Sequence, residues 1–476
     1  MRNQTFLDKS EIVLVSLLFC AYGYGVFYPT LWSDDFAALE NNYENSIHAL
    51  RDGRPFLAVI LFLTFTIIKS STLAILFHAL GLCGLIVFGI YLLRNLPRSI
   101  ESKFSQAVLI GACLCLPSFQ TEVHWAHMWI TTWASLLSII SYRAWESGKK
   151  PILSLIGMSI VIMSYPPISL WIFTFGALLT FGSDFGFRAA LLRMVKQIQF
   201  FFYSSIISYI VINMTLYAFK YSSNERVKIV SWYDLPEKIF WLLTRPILEG
   251  FRLFLIDSPT PLTAFLTAFP GFMIFLFAIL AHQRRSVESA INKIGYCVVF
   301  GISFFVLPLL HLIFSVNNQF DFRMTPSYSF GIAFVIGSFI LKTPFAKPKS
   351  SFLNIFLVLL LTLSLVTVNQ RFSDLIGGPY ALKRNFFSQQ LNKCLPSSSE
   401  TVFLIIPPAR NFPSRMRMGD FSMVTDLQSP WVPIGSLREV LREENRIIYS
   451  NDLLGVKEKY AEVCVIRLEL FRKILE

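Results

Sequence analysis

The sequence predicts an all-α polytopic membrane protein with about eleven transmembrane helices and a small α/β domain at its C-terminus. Of the 476 residues, 54% are hydrophobic and only 15% are charged, whereas a soluble chain of this length carries roughly 25% charged residues. No water-soluble fold could enclose so much apolar surface. The composition therefore excludes a disordered chain, a secreted disulfide scaffold and a soluble nucleic-acid-binding protein.

Eleven apolar runs are candidate membrane spans, each with boundaries uncertain by a few residues. They lie near residues 11–31, 72–93, 104–120, 128–142, 151–165, 167–182, 198–218, 260–281, 293–315, 327–341 and 352–369. One further apolar run, 55–69, is short for a crossing. We expect it to be a short interfacial or re-entrant helix.

The distribution of Lys and Arg predicts the orientation. If the N-terminus is cytoplasmic and 55–69 does not cross, the cytoplasmic segments hold 17 Lys/Arg against 6 Asp/Glu. Loop 32–54, on the opposite side, holds 2 Lys/Arg against 5 Asp/Glu. Positive residues collect in cytoplasmic loops, so the N-terminus is expected inside and the C-terminus outside. The net charge of +12 then reflects topology, and no nucleic-acid partner is indicated.

Two regions are expected along the chain. Residues 1–369 form the predicted transmembrane domain, with outer loops at 32–54 and 219–259. Residues 370–476 form the predicted C-terminal domain outside the membrane, and they hold 15 Lys/Arg and 12 Asp/Glu.

Local patterns in the C-terminal region predict an α/β domain. Thr401–Ile406 and Val463–Arg467 are strand-like, and Ser436–Glu444 is helix-like. The region contains Cys394 and Cys464, which in an oxidising compartment either form a disulfide or remain separate buried thiols. The sequence leaves both alternatives open.

Two adjacent carboxylates, Asp34 and Asp35, follow the first predicted span in Leu31-Trp-Ser-Asp-Asp-Phe36. One interpretation is a helix N-terminus that Ser33 caps and the helix dipole stabilises. The other is catalytic: one carboxylate is a general base and the other orients it or binds substrate. A like-charged, partly desolvated neighbour raises a carboxylate pKa and strengthens it as a base.

Arginines lie on the same predicted side of the membrane. In Arg51-Asp-Gly-Arg-Pro55, Gly53 and Pro55 are expected to end one helix and begin the next. Arg51 and Arg54 are either anchors at the membrane interface or cations that bind a phosphate. Arg323, before a late span, has the same two interpretations.

A third polar group lies between two spans on this side, in Pro117-Ser-Phe-Gln-Thr-Glu-Val-His-Trp. Glu122, His124 and Trp125 are candidates for polar substrate contacts, although tryptophans are common at membrane interfaces. The Glu122-x-His124 spacing, with His127, matches no known zinc signature. We therefore predict no metal ligands. The convergence of carboxylates, arginines and tryptophans on one face indicates a site for a sugar and a phosphate.

This order of motifs resembles a known family. The first span, Asp34-Asp35, Gly53-Arg54-Pro55 and Arg323 before a late span resemble the serotype-converting O-antigen glucosyltransferases of the second type. These are class C polytopic glycosyltransferases, which use polyprenyl-phosphate sugars. By this resemblance, Asp34 or Asp35 matches the catalytic carboxylate of the first outer loop.

The resemblance implies transfer of a glucosyl or other hexosyl group from undecaprenyl phosphate to O-antigen or another lipid-linked glycan. It also implies a bacterial inner-membrane location, a periplasmic C-terminal domain, and partners that are a polyprenyl-phosphate-linked donor, a lipid-linked glycan acceptor and membrane lipid. Because phosphate is a good leaving group, one Asp base suffices for a single inverting displacement. No cofactor is firmly implied, and the sequence does not indicate whether the reaction uses a divalent cation.

Two other function classes fit a polytopic chain. An O-antigen polymerase or ligase would be expected to rely on arginine-rich outer loops. A transporter or lipid flippase would place charges near the bilayer midplane, whereas the apolar runs here are almost charge-free.

Overall fold

The structure is a computed structural model in which helices dominate. It describes residues 7–31, 33–97, 102–181, 186–224, 230–255, 261–284, 290–314, 325–342, 351–394, 401–405, 437, 446–450 and 464–467.

Helices follow one another along the described chain. The first eleven are α1 (Lys9–Phe27), α2 (Ser33–Glu40), α3 (Asn42–Arg51), α4 (Pro55–Ile67), α5 (Ser71–Asn95), α6 (Lys103–Cys113), α7 (Pro117–His124), α8 (Trp129–Glu146), α9 (Pro151–Ser164), α10 (Pro166–Ser169) and α11 (Trp171–Phe181). The others are α12 (Phe187–Phe219), α13 (Leu235–Thr244), α14 (Pro246–Phe251), α15 (Pro261–Arg284), α16 (Ala290–Gly301), α17 (Leu310–Phe314), α18 (Pro326–Leu341), α19 (Ser351–Arg371) and α20 (Gly378–Cys394). A π-helix (Ile302–Val306) and a 3₁₀ turn (Leu307–Leu309) connect α16 to α17.

Several helices are long and apolar enough to cross a membrane. Within the described residues there are six, or seven if the bent pair α6–α7 counts as one span. Four shorter apolar helices accompany them: Pro55–Ile67, Pro151–Ser164, Pro166–Phe181 and Pro326–Leu341. The chain is therefore a multi-pass membrane protein by the length and composition of its helices. Each of the eleven predicted runs contains helix, and the count of eleven crossings stays a prediction.

The predicted span 104–120 is not a straight helix. The chain bends by 70° between α6 and α7. Pro117 is the first residue of α7, where a proline fits because its missing N–H has no helical acceptor and its φ is already helical. The bend turns α7 into the bundle.

The core of the bundle is aromatic. Trp171 of α11 is fully buried, and its ring centroid lies 4.9 Å from that of Phe88, 6.1 Å from Phe119 and 5.3 Å from Phe330. These contacts join α11 to α5, α7 and α18. Gly111 of α6 allows close approach to α1, because a Cβ at this position would collide with the side chain of Leu17.

One end of the bundle, the basic end, holds arginines and a lysine from three of the predicted cytoplasmic loops. Arg94 donates two hydrogen bonds to Glu11, of 2.7 and 3.0 Å, and Lys103 pairs with Asp8. The start of α1, the end of α5 and the start of α6 therefore meet here.

A second group of ion pairs lies at the basic end. Glu146 pairs with Arg143 at 3.0 Å and with Arg193 at 2.9 Å, joining the end of α8 to the first part of α12. The Trp133 indole donates to the carbonyl oxygen of Leu80 at 3.0 Å, near the beginnings of both α8 and α5. These two helices thus run in the same direction and end at the same side.

The opposite end, the loop end, holds α2, α3 and α4. Asn42 at the start of α3 donates to the carbonyl oxygen of Phe62 at 2.8 Å, so α3 and α4 pack antiparallel. Near its end, α4 is bonded through Thr64 to the Trp129 indole at the start of α8, at 3.1 Å. The 13 residues of α4 span about 20 Å, against a hydrocarbon thickness of about 30 Å.

The helix after the last predicted span continues beyond residue 370. A π-helix (Phe372–Gly377) joins α19 directly to α20. Farther on, β1 (Thr401–Ile405), β2 (Arg446–Ser450) and β3 (Cys464–Arg467) form a parallel sheet in the order β2-β1-β3, with Val402 opposite Ile447 and Cys464. The predicted helix 436–444 lies outside the described residues except for Leu437, as do the side chains of Cys394 and Cys464.

Candidate functional site

The acidic pair begins α2 at the loop end. The helix starts at Ser33, so both aspartates lie in its first turn, where the helix dipole stabilises negative charge. The side chain of Asp35 is fully buried, whereas the side chain of Asp34 lies outside the described part of the structure. Burial of a carboxylate is costly unless its surroundings compensate, so this location is compatible with both interpretations of the pair.

A lysine from the C-terminal end of the chain lies beside α2. The Nζ of Lys383 in α20 is 5.0 Å from the ring centroid of Phe36, the residue that follows Asp35. Lys383 is 1% exposed and Phe36 is fully buried. A buried cation thus approaches the turn that carries the acidic pair.

Lys383 was not among the residues predicted from the sequence. Its position carries a signal, because Tyr380, Lys383, Phe387 and Leu391 are spaced along one face of α20 and all are buried. A lysine in such an otherwise apolar stripe indicates a buried charge with a specific neighbour.

The segment that contains Arg51 and Arg54 is fixed by hydrogen bonds. Gly53 adopts a φ of +75°, which a residue with a Cβ rarely adopts. The Arg51 side chain donates to the carbonyl oxygen of Ser222 at 3.2 Å, and the Asn224 N–H donates to the carbonyl oxygen of Arg51 at 2.9 Å. Arg51 therefore contributes to anchoring this segment against the chain that follows α12.

Asp52 reinforces the same anchor. It accepts a hydrogen bond from the Asn224 amide at 2.7 Å and lies 3.5 Å from His48. Burial raises the pKa of Asp52, but the hydrogen bonds of His48 and Asn224 and the nearby Arg54 outweigh it, so the pKa lies below its usual value. The carboxylate therefore stays ionised at neutral pH.

Arg54 also contacts a second element. Its guanidinium carbon lies 5.2 Å from the ring centroid of Tyr165, in the turn between α9 and α10. A guanidinium is the side-chain group best suited to bidentate contacts with phosphate, and it also packs favourably on an aromatic ring. Arg323, the other predicted phosphate ligand, lies outside the described residues.

The predicted contacts on α7 are enclosed in the bundle. Glu122 and Trp125 are fully buried, and His124 is 1% exposed. The His124 ring centroid lies 5.4 Å from that of Tyr22 in α1 and 4.8 Å from that of Phe372. Among the described residues, neither the carboxyl oxygens of Glu122 nor the ring nitrogens of His124 have a hydrogen-bond partner.

Arg371, at the end of α19, extends this enclosed polar group. It is 9% exposed, and both Arg371 and Glu122 act electrostatically on Tyr22. The predicted residues thus occupy three places. Asp35 lies in the first turn of α2, Arg54 lies beside Tyr165, and Glu122 and His124 lie near Tyr22. In the described ranges, no group of three or more His, Cys, Asp or Glu side chains is arranged to hold a metal ion.

Comparisons of the chain with protein-family models, with curated proteins and with solved structures found no match.

Proposed function

We propose that this protein is a bacterial inner-membrane glycosyltransferase. It transfers a hexosyl group, glucosyl by resemblance, from undecaprenyl-phosphate-sugar to O-antigen or another lipid-linked glycan on the periplasmic face. The observation that carries the proposal is the first turn of α2 at the loop end, where Asp35 is fully buried and the next residue, Phe36, contacts the buried Lys383. An ionisable pair enclosed at one end of an apolar bundle is typical of a reaction site rather than of packing.

The proposed reaction is a single displacement. The acceptor hydroxyl oxygen attacks the anomeric carbon while the bond from this carbon to the phosphate oxygen breaks, and polyprenyl phosphate leaves. The hydroxyl proton passes to the carboxylate of Asp34 or Asp35, with the other aspartate as its partner. Arg54, and Arg323 by its sequence position, bind the phosphate and stabilise its charge as the bond breaks. The product has the opposite anomeric configuration to the donor.

The proposal also covers the number of membrane crossings, the orientation of the chain and its C-terminal domain. It comprises eleven crossings, a cytoplasmic N-terminus and a periplasmic α/β domain after residue 370. The gathering of four basic residues, Arg94, Lys103, Arg143 and Arg193, at one end of the bundle supports this orientation. The parallel order β2-β1-β3 supports an α/β domain, because parallel strands require crossover connections.

The orientation can be tested with two reporter proteins. We expect an alkaline phosphatase fusion after Glu476 to be active and a green fluorescent fusion there to be dark, because the phosphatase needs an oxidising compartment for its disulfides. A fusion pair after Lys150, at the basic end, serves as the control and should give the reverse pattern. An inactive phosphatase and a bright green fusion at Glu476 would contradict the proposed topology.

One observation favours a second candidate, a transporter of lipid-linked glycans. Glu122, His124 and Arg371 are enclosed between helices of the bundle, and such groups are typical of transport pathways. A transporter moves its substrate without changing it, so the two candidates differ in whether the sugar is transferred to a new acceptor.

Analysis of surface polysaccharide from cells with and without the gene tests the proposed function. We expect a hexosyl substituent only in cells that express the wild-type chain. Cells that express the double variant Asp34→Asn/Asp35→Asn at the same level are the matched control and should lack it. The same polysaccharide composition in all three strains would contradict glycosyl transfer.

A further inference from the structure

Helices α9 and α12 run side by side from the basic end to the loop end. α9 begins directly after the turn that ends α8, and it stops before Tyr165, whose ring contacts Arg54 at the loop end. The first part of α12 carries Arg193, which pairs with Glu146 at the end of α8. The chain just after α12 is hydrogen-bonded to the segment between α3 and α4. The two helices are therefore parallel.

Serine contacts fix the relative height of these two helices. The Ser159 hydroxyl of α9 donates to the carbonyl oxygen of Ser204 in α12 at 3.1 Å, and the Ser208 hydroxyl donates to the carbonyl oxygen of Ser159 at 3.3 Å. Lys150 precedes Ser159 by about nine residues, and Lys196 precedes Ser204 by about eight, which at a rise of 1.5 Å per residue is about 12–14 Å in each helix. Both lysines therefore lie at the same level at the basic end.

The end of α8 lies beside the same two lysines. Arg193 is one helical turn before Lys196, and its Nε is 2.9 Å from a carboxylate oxygen of Glu146. The turn that leads from Glu146 to Lys150 is held by backbone hydrogen bonds, and it also contains Lys149. We call Lys149, Lys150 and Lys196 the lysine patch.

The lysine patch carries positive charge that no carboxylate of the described residues neutralises through an ion pair. All three side chains are exposed, and none of the ion pairs in the described part of the chain involves them. The adjacent carboxylate, Glu146, already pairs with Arg143 at 3.0 Å and with Arg193 at 2.9 Å. This surface therefore attracts an anion.

Aromatic side chains indicate that the lysine patch lies at the membrane interface. The Trp145 ring centroid is 5.4 Å from that of Phe200 and 6.3 Å from that of Tyr203, and Tyr203 is exposed. Trp and Tyr are enriched where the hydrocarbon meets the headgroups. Trp145 and Phe200 both lie within about one helical turn of the Glu146 pairs or of Lys196, so the patch is at headgroup level.

Apolar side chains are exposed next to the lysine patch, on its loop-end side. They are Leu153 and Ile156 of α9 and Ile198 and Phe202 of α12. A soluble anion would contact only the lysines, whereas a membrane lipid contacts both parts of this surface. Its headgroup meets the charges and its acyl chains meet the apolar side chains.

We propose that the lysine patch binds the phosphate of an anionic membrane phospholipid, whose acyl chains lie along the exposed apolar side chains of α9 and α12. Ammonium groups donate charge-assisted hydrogen bonds to phosphate oxygens. A zwitterionic headgroup is disfavoured because its own cation would lie beside the lysines. The inference goes beyond the proposed function, since it requires no glycosyl transfer.

Native mass spectrometry of the full-length purified protein measures this binding, with phosphatidylglycerol and phosphatidylcholine of the same acyl chains as probes. We expect the wild type to bind phosphatidylglycerol more tightly. The double variant Lys150→Gln/Lys196→Gln should bind it about 10- to 30-fold more weakly, since each basic residue beside an anionic lipid contributes about fivefold. Lys150→Arg/Lys196→Arg should bind as the wild type does, because it keeps both charges.

Lys69→Gln/Lys220→Gln is the matched control, because it removes two exposed lysines at the loop end and changes the total charge equally. It should retain the wild-type affinity for phosphatidylglycerol. If Lys150→Gln/Lys196→Gln does not elute as a single folded species, Lys196→Gln alone provides the test, with an expected loss of about fivefold.

Four results would overturn the site. The first is wild-type affinity in the folded patch variant, and the second is an equal loss of affinity in the loop-end control. The third is equal binding of the two lipids by the wild type. The fourth is competition by inorganic phosphate at the same concentration as the lipid, which would indicate a site for a soluble anion.

Discussion

Replacing Asp35 or Asp34 with asparagine is expected to lower glycosyl transfer by about 10²–10⁴-fold for whichever residue is the base, since this is the usual contribution of a general base. Asparagine nearly preserves the side-chain volume, and it caps a helix about as well as aspartate. If the pair served only the helix N-terminus, both variants would therefore keep near-normal expression and activity. Initial rates of transfer in membranes with equal amounts of each variant measure the effect.

Glu40→Gln is the matched control for this experiment. Glu40 is an exposed carboxylate at the far end of the same helix, so its neutralisation removes an equal charge from α2. We expect the transfer rate of this variant to stay within about twofold of the wild type, since an exposed charge contributes little. Wild-type rates in both aspartate variants would refute the catalytic role of the pair.

The second large effect concerns stability. Arg252 and Glu249 form a buried ion pair at 2.8 Å, with exposed side-chain fractions of 0% and 5%. Glu249→Met leaves the guanidinium enclosed without this carboxylate, and we expect it to lower the free energy of unfolding by about 3–5 kcal/mol. The double variant Glu249→Met/Arg252→Met should regain most of the loss, because it removes both buried charges. Thermal unfolding in detergent measures both.

An exposed ion pair provides the comparison. Lys103 and Asp8 pair at the basic end with exposed fractions of 35% and 44%, so Lys103→Met should lower the free energy of unfolding by less than about 1 kcal/mol.

A double variant Glu249→Met/Arg252→Met that is no more stable than Glu249→Met alone would contradict the expected balance between the cost of burying the two charges and their attraction. It would indicate that Arg252 packs in a way that methionine cannot replace.

The helical elements could be predicted because they depend on local properties of the chain. Apolar runs of about 15–20 residues exclude other structures in a membrane. The boundary between α3 and α4 could be predicted because Gly53 favours the end of a helix and Pro55 favours the first position of the next. The 70° bend between α6 and α7 could not be predicted from hydropathy, because the two helices taken together are apolar enough to be read as one span. The continuation of helix past Arg371 was also missed, because Gly377-Gly378-Pro379 is typical of a helix end.

The candidate site was only partly predictable. The acidic pair and Arg54 are conspicuous because each lies next to an apolar run or a helix-breaking residue. Lys383 was missed because its signal is weaker, a single lysine in the otherwise apolar stripe of α20, and its significance comes from Phe36, far away in the chain. The enclosure of Glu122 and His124 likewise depends on the bend before α7, which the sequence pattern does not reveal.

The most direct test of the central claim is transfer by the purified protein in liposomes. The vesicles would contain undecaprenyl-phosphate glucose and a lipid-linked O-antigen acceptor, and the product would be examined by NMR. The account predicts that glucose moves to the acceptor with inverted anomeric configuration and that one mole of undecaprenyl phosphate is released for each mole transferred. An unconsumed donor in the presence of acceptor, or a product with retained configuration, would contradict it.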